Sequence, residues 1–369
     1  MKSAARLVAA ATGAVALALT GLPAYAADSM TTIARGLDNP RGLAFAPNGA
    51  LYVAEAGRGG AGPCLPGPEG GSVCFGTSGA VTQIRNGSQS RVLTGLSSLA
   101  NPDGTQAIGP SDVSFQGGGN LYLTVGLGAN PAARAQLPAI GQQTAGWLLR
   151  GRIAQHDWTQ SADIAGYEAR ANPDGGAPDS NPNSVLAVPG ARVVVDSGGN
   201  DLVRVTANGR ISTLAVFPTR TFPAPPALGM PPGATIPVQS VPTSVVRGPD
   251  GAYYVGELTG FPFLPGIARV WRVVPGHAPE VYASGFTNII DIGFDQRGRL
   301  YVLEIARNGL LSGDPTGALI RVDRGGTQHV VASTGLTTPA GLALRGGSAY
   351  VSNCGTCAGT GSVVRIALH

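Results

Sequence analysis

The chain has 369 residues, of which 43% are hydrophobic and 12% charged, with 56 glycines and 29 prolines; that hydrophobic share excludes a disordered chain, so Gly and Pro are read as turn punctuation. Setting aside Lys2 and Arg6 in the N-terminal leader leaves 23 basic residues against 21 acidic ones, without a clustered basic run, which excludes an electrostatic case for a nucleic-acid or membrane-surface partner. Lys2 is the only lysine, so Schiff-base and lysine general-base chemistry are excluded as well.

The first predicted element is a signal peptide. Lys2 and Arg6 precede an apolar run over 7–22, and Ala24-Tyr25-Ala26 supplies the small-x-small pattern of a signal peptidase site. Residues 1–26 are therefore expected to be removed on export, leaving 27–369 as one domain with no membrane span, secreted to the periplasm or beyond. In an oxidising compartment Cys64, Cys74, Cys354 and Cys357 should pair, locally as 64 with 74 and 354 with 357. A redox or half-zinc role for Cys354 and Cys357 is the alternative, with no second CxxC or nearby His to complete it.

From residue 31 the chain repeats. Leu51-Tyr52-Val53-Ala54-Glu55 recurs at 121–125, 193–196, 254–257, 301–304 and 350–353, each a short aromatic or β-branched run typical of a strand. A preceding strand recurs at 42–45, 112–115, 184–188, 244–247, 291–294 and 341–344. A following one recurs at 80–85, 149–153, 202–205, 270–273, 319–322 and 363–366. Four strands repeated at this spacing predict an all-β fold, a six-bladed propeller of four-stranded antiparallel blades over about 41–95, 111–163, 183–217, 243–285, 289–334 and 340–368. The last unit ends before its fourth strand, while Thr32-Ile33-Ala34-Arg35-Gly36-Leu37 matches fourth strands such as Val331-Ala332-Ser333-Thr334-Gly335-Leu336. Residues 31–37 should therefore complete the last blade and close the ring, which removes exposed sheet edges.

Connections from strand two to strand three, and from strand four to the next strand one, share one face of a propeller, called the top here. Every long insertion falls there: 56–79, 96–110, 126–146, 164–182, 217–242, 258–268 and 305–317. Long loops on a rigid scaffold are where binding sites lie. Within them, 165–171 is expected to form a short helix ended by Asn172-Pro173-Asp174-Gly175, and the proline-rich 217–242 to form a stiff, extended wall. Phe75, Tyr167, Phe222, Phe261 and Phe263 would either floor a pocket or pack the loops down.

Strand two delivers its last residue to the top, which puts Glu55, Asp196, Glu257, Glu304 and Asn353 in equivalent places; strand one begins there with Gly42, Asp112, Ser184, Ser244, Asp291 and Gly341, and Arg41 stands beside the first. Asp112 and Asp291 lie three blades apart out of six and should face each other across the channel. Arg41, Asp112, Ser244, Asp291, Glu55, Glu257 and Glu304 are the candidate ligand-binding residues. Carboxylate oxygens suit a hard cation, so Ca²⁺ held by Asp112, Asp291, Glu257 and Glu304 is the expected metal reading. The alternative is that the strand-two acids hold adjoining turns or pair with the third-strand arginines Arg152, Arg204, Arg272, Arg321 and Arg365. None of the four histidines falls on the top, which argues against a Ser-His-Asp or Cys-His nucleophile and a multi-His metal there. No nucleotide or haem motif is present, and a monomer is expected.

Between about 33 and 366 the chain resembles the ScyD/ScyE family of exported bacterial proteins. The resemblance rests on Gly36-Leu37-Asp38-Asn39-Pro40-Arg41-Gly42, Gly62-Pro63-Cys64 with Gly67-Pro68-Glu69-Gly70, Asn172-Pro173-Asp174-Gly175 with Asp179-Ser180-Asn181-Pro182, Val241-Pro242-Thr243-Ser244, Gly256-Glu257-Leu258-Thr259-Gly260-Phe261-Pro262-Phe263, and Gly285-Phe286-Thr287-Asn288-Ile289-Ile290-Asp291. It implies a secreted propeller and brings no catalytic residues with it. Broader six-bladed relatives divide into NHL-type binding modules and calcium-dependent lactonases and esterases. The expected function is binding of a small molecule or extracellular partner on the top face, the alternative a cation-assisted hydrolase or lyase.

Overall fold

The computed structural model describes residues 30–368 apart from Glu69 and Gly118; the expected signal peptide lies outside the described residues. Six four-stranded antiparallel blades form the ring. Blade one contains Pro40–Phe45, Leu51–Glu55, Ser72–Arg85 and Ser88–Ala100, and blade two contains Pro110–Gln116, Asn120–Val125, Trp147–Arg152 and Asp157–Asp163. Blade three contains Pro182–Val188, Ala191–Asp196, Asp201–Thr206 and Ile211–Val216, and blade four Pro242–Arg247, Tyr253–Glu257, Ala268–Val273 and Glu280–Phe286. Blade five contains Ile289–Phe294, Leu300–Glu304, Ala318–Val322 and Gln328–Ala332. Blade six contains Gly341–Arg345, Ser348–Asn353 and Gly361–Ala367, and its fourth strand is the N-terminal Met30–Leu37.

That closure is a full ladder, with Met30 opposite Ile366, Thr32 opposite Val364 and Leu37 opposite Gly361. The first strands neighbour one another around the whole ring, so each blade presents its strand one to the axis. Alternating strand residues bury one side chain toward each neighbouring blade, and the core is accordingly divided into interfaces between blades. Tyr52, Val81 and Leu93 of blade one meet Leu121, Leu123 and Leu149 of blade two. At the closing interface Ala34, Leu37 and Val363 of blade six meet Leu43, Leu51 and Val53 of blade one.

The top loops are more structured than their Gly and Pro content suggests. The 56–79 insertion folds back as Cys64–Pro66 against Ser72–Arg85 and is tied by the Cys64–Cys74 disulfide; Cys354 and Cys357 form the second. The 217–242 loop is not an extended wall. Arg220–Pro223 pairs with Thr235–Val238 as a small two-stranded sheet, because Thr221, Phe222 and Ile236 are strand formers and a ribbon whose two strands are both edges tolerates Pro223 and Pro237. Beneath the loops of blades one and two lies a satellite core of Leu65, Val73, Phe75, Leu99, Leu127 and Leu137, so Phe75 packs loops rather than flooring a pocket. The helix Ile164–Ala171 ends at Asn172 in the left-handed conformation (φ 37°), as expected from Asn-Pro-Asp-Gly. Among the described residues no helix is long and apolar enough to cross a membrane.

Candidate functional site

The acidic ends of the second strands turn back to the incoming connection of their own blade. Glu55 is fully buried and accepts from the Asp38 amide (2.8 Å), Thr82 Oγ1 (2.5 Å) and Arg91, whose Nε lies at 3.0 Å and Nη2 at 2.6 Å. Glu257 accepts from Ser240 Oγ (2.5 Å), Trp271 Nε1 (2.8 Å) and Arg220. Glu304 accepts from the Thr287 amide (2.7 Å), and Asn353 Oδ1 from the Thr337 amide (2.7 Å). Asp196 receives Ser180 Oγ and the Asn181 amide, both at 2.6 Å. In every case one donor lies 15 to 17 positions upstream, in the link that delivers strand one. These residues therefore brace the top connections. The third-strand arginines are not their partners: Arg152, Arg272 and Arg321 pair with Asp157, Asp250 and Asp323 at the opposite face, and Glu55 and Glu257 are ion-paired to Arg91 and Arg220 instead.

Asp112 and Asp291 are placed differently. Together with Arg41, Gly42, Ser111, Asn183, Ser184, Thr243, Ser244 and Ile290 they line a small cavity of about 20 Å³ at the top end of the channel. That admits roughly one water or a small ion, not an organic substrate. Each carboxylate also stitches its blade to the next. Asp112 accepts from Ser184 Oγ (2.8 Å) and the Val185 amide (2.9 Å), and Asp291 from the Leu342 amide (2.6 Å). Gly42 is required beside Asp112, since a Cβ there would stand 2.2 Å from Asp112 Oδ1. Ser244 Oγ is buried in this lining with no hydrogen-bond partner. The Arg41 side chain donates to the Ala107 carbonyl (2.7 Å).

Burial pushes the Asp112 carboxyl up to about 6, against the pull of its three donors. Asp291 is raised well above the usual carboxylate range, first by burial and then by the charge of Asp112. The two acids line one cavity, and the charge of Asp112 acts on Asp291 there. Glu257 and Glu304 do not join them in the cavity lining, and among the described residues no three Asp, Glu, His or Cys side chains stand in metal-binding geometry. Ser111, Asn183 and Thr243 line the cavity too and were not singled out from the sequence; their signal is the same strand-one slot, one residue earlier.

These raised acids give the fold a pH dependence. A carboxyl whose folded pKa exceeds its unfolded value binds its proton more tightly when folded, so it favours the folded state at low pH and that contribution is lost as pH rises. Asp112 and Asp196 at about 6, and Glu304 raised by burial to about 7, place the loss between about pH 4 and 7, with the stretch above pH 5 carrying up to about 1.4 kcal/mol per group per pH unit. The acids lowered by local donors, such as Asp250 and Asp295, are already ionised at pH 5 and cancel over that interval. In chelator-treated protein, thermal unfolding should occur at a higher temperature at pH 5 than at pH 8; the reverse order would show that these carboxyls are not held as described.

No family model matches the chain, and no curated protein matches it; membership of the ScyD/ScyE family is therefore a resemblance only. Solved structures do match. A protein of unknown function from Bacteroides thetaiotaomicron is similar with a TM-score of 0.57 at 11% identity, over 92% of this chain and 76% of that one. A gluconolactonase from Xanthomonas campestris gives 0.54 at 12% identity, over 92% and 89%. Virginiamycin B lyase from Staphylococcus aureus gives 0.50 at 11% identity, over 92% and 99%. At such identities the likeness is one of fold, and the chain is a six-bladed propeller with structural neighbours in the gluconolactonase and virginiamycin B lyase group.

Proposed function

We propose that the protein is an exported propeller that binds a small molecule on its loop-bearing face, over a channel mouth where Asp112 and Asp291 receive a cationic group. That group is a hard metal ion such as Ca²⁺ or a positively charged part of the ligand. The observation that carries this reading is the pair of half-buried, mutually repelling carboxyls that line one cavity beside the unpartnered Ser244 hydroxyl. Two such acids are stabilised by a positive charge between them, and oxygen-only donors select a hard cation over a transition metal. Export is supported by the leader, by the two disulfides and by the ScyD/ScyE resemblance. The cavity is too small for an organic ligand, so the body of the molecule rests on the surrounding loops.

A thermal-shift screen of small metabolites, with Ca²⁺ held constant, tests this. Compounds that raise the unfolding temperature of the wild type should lose their effect in Asp112→Asn/Asp291→Asn, and shifts that persist undiminished in that variant would place binding elsewhere. The hydrolase or lyase alternative uses the same carboxyls, and the gluconolactonase and virginiamycin B lyase neighbours make gluconolactone and virginiamycin B the compounds to assay for it. Turnover that disappears in the same double variant would favour it.

A further inference from the structure

Blade three carries acidic side chains that neither the channel nor, Asp196 apart, the braces account for. The helix Ile164–Ala171 brings in Glu168, the loop after it carries Asn172, Asp174 and Asp179, and the turn between the second and third strands of the blade is bounded by Asp196 and Asp201. These segments are packed together. Asn200 Nδ2 donates to Asp174 Oδ2 (2.9 Å), and a Cβ on Gly198 would meet the Asp179 backbone at 2.8 Å. A Cβ on Gly199 would lie 3.0 Å from Glu168 Oε2 and 3.6 Å from Asp196 Cγ, so the two carboxylates flank the same backbone position.

Two of these acids are buried and incompletely satisfied, Glu168 accepting a hydrogen bond from the Asp179 amide. Glu168 and Asp201 are each 2% exposed, and Glu168 Oε1 and Asp201 Oδ1 have no hydrogen-bond partner. Asp179 Oδ1 and Asn172 Oδ1 also lack partners. The charges acting on Glu168 are those of Asp196, Asp174 and Asp179, and those acting on Asp201 are Asp196, Glu168 and Asp174. Burial, and then this mutual repulsion, pushes Glu168 up to about 7 and Asp201 well above the carboxylate range. A buried carboxylate is costly unless paired, hydrogen-bonded or bound to a metal. Here the first two remedies are missing at named atoms, and every donor is an oxygen. The sequence motif Asn172-Pro173-Asp174-Gly175 with Asp179-Ser180-Asn181-Pro182, which the channel does not use, supplies three of the acceptors.

We propose that this pocket of blade three is a Ca²⁺ site, in which Glu168 and Asp201 supply buried carboxylate ligands, Asp174 and Asp179 supply loop carboxylates and Asn172 Oδ1 a neutral oxygen. Carboxylates with an amide carbonyl are the ligand set of a hard, flexible-coordination cation. Among the described residues the donors are not gathered about one point, so binding turns the carboxylates toward one another across the space beside Gly199.

The test is Ca²⁺ titration of chelator-stripped full-length protein by calorimetry and thermal unfolding. CaCl₂ should bind and raise the unfolding temperature, Glu168→Gln/Asp201→Asn should remove one equivalent of binding and its share of the rise, and the same loss should follow when that change is made in the Asp112→Asn/Asp291→Asn background, where any ion at the channel is already gone. In EDTA the Glu168→Gln/Asp201→Asn protein should unfold at or above the wild-type temperature, since two repelling charges are gone, and addition of Ca²⁺ should reverse that order. Asp179→Asn provides an independent check if the double variant does not fold, with affinity reduced at least tenfold. The proposal is overturned by a wild type that does not respond to Ca²⁺, by a response undiminished in Glu168→Gln/Asp201→Asn or Asp179→Asn, or by one lost only in the axial variant, which would assign the ion to the channel instead.

Discussion

Deleting residues 31–37 should lower the unfolding temperature by roughly 10 °C or more, because the segment is the fourth strand of blade six and closes the ring. It buries Ala34 and Leu37 at the interface with blade one, and its ladder to Gly361–Ala367 runs from Met30 to Leu37. Apolar burial at about 2 kcal/mol per large side chain and ladder bonds at about 1 kcal/mol each bring the loss to the order of 10 kcal/mol. The deletion also leaves Gly361–Ala367 as an unpaired edge, so the variant should aggregate as well as unfold earlier. Differential scanning calorimetry with light scattering checks both, and an unchanged transition would mean that the ring does not depend on its N-terminal strand.

Glu55→Ala should be the most damaging single change at the top face, at about 3 kcal/mol and roughly 5 °C in unfolding temperature. Glu55 is fully buried and gathers a backbone amide, a threonine hydroxyl and a guanidinium. Removing the carboxylate leaves the Asp38 amide and Thr82 Oγ1 without their acceptor, and unsatisfied buried donors cost more than an average hydrogen bond returns. Arg91 keeps a partner in Asp38 (2.8 Å), which limits the loss. Glu55→Gln should be milder, since the amide oxygen still accepts; a Glu55→Ala protein as stable as the wild type would remove the bracing role.

The repeat was legible because each blade's second strand carries the same aromatic and β-branched run, and the closure because residues 32–37 resemble a fourth strand with no blade in front of it. The meeting of Asp112 and Asp291 at one cavity followed from counting blades. What the sequence leaves open is where the strand-two carboxylates aim. Position places Glu55, Glu257 and Glu304 on the top face, but their main partners are backbone amides and residues such as Arg91, Ser240 and Arg220 that no spacing rule links to them. The same limit hid the acids of blade three. Glu168 sits on a helix some 30 residues before Asp201, and the two approach only because that helix folds back over its blade. An excess of acids over bases in the 163–181 loop was the signal available. The hairpin at Arg220–Pro223 and Thr235–Val238 was masked by the surrounding prolines, which suggest stiffness without saying that two short segments pair.

The division of the top face into braces and a channel site is tested most directly by calorimetric affinity for a ligand from the metabolite screen, measured for wild type, Glu55→Gln and Asp112→Asn/Asp291→Asn at constant Ca²⁺. The axial variant should bind at least tenfold more weakly, while Glu55→Gln should unfold earlier yet bind with wild-type affinity. Undiminished affinity in Asp112→Asn/Asp291→Asn, or a tenfold loss in Glu55→Gln at temperatures where it is fully folded, would contradict that division.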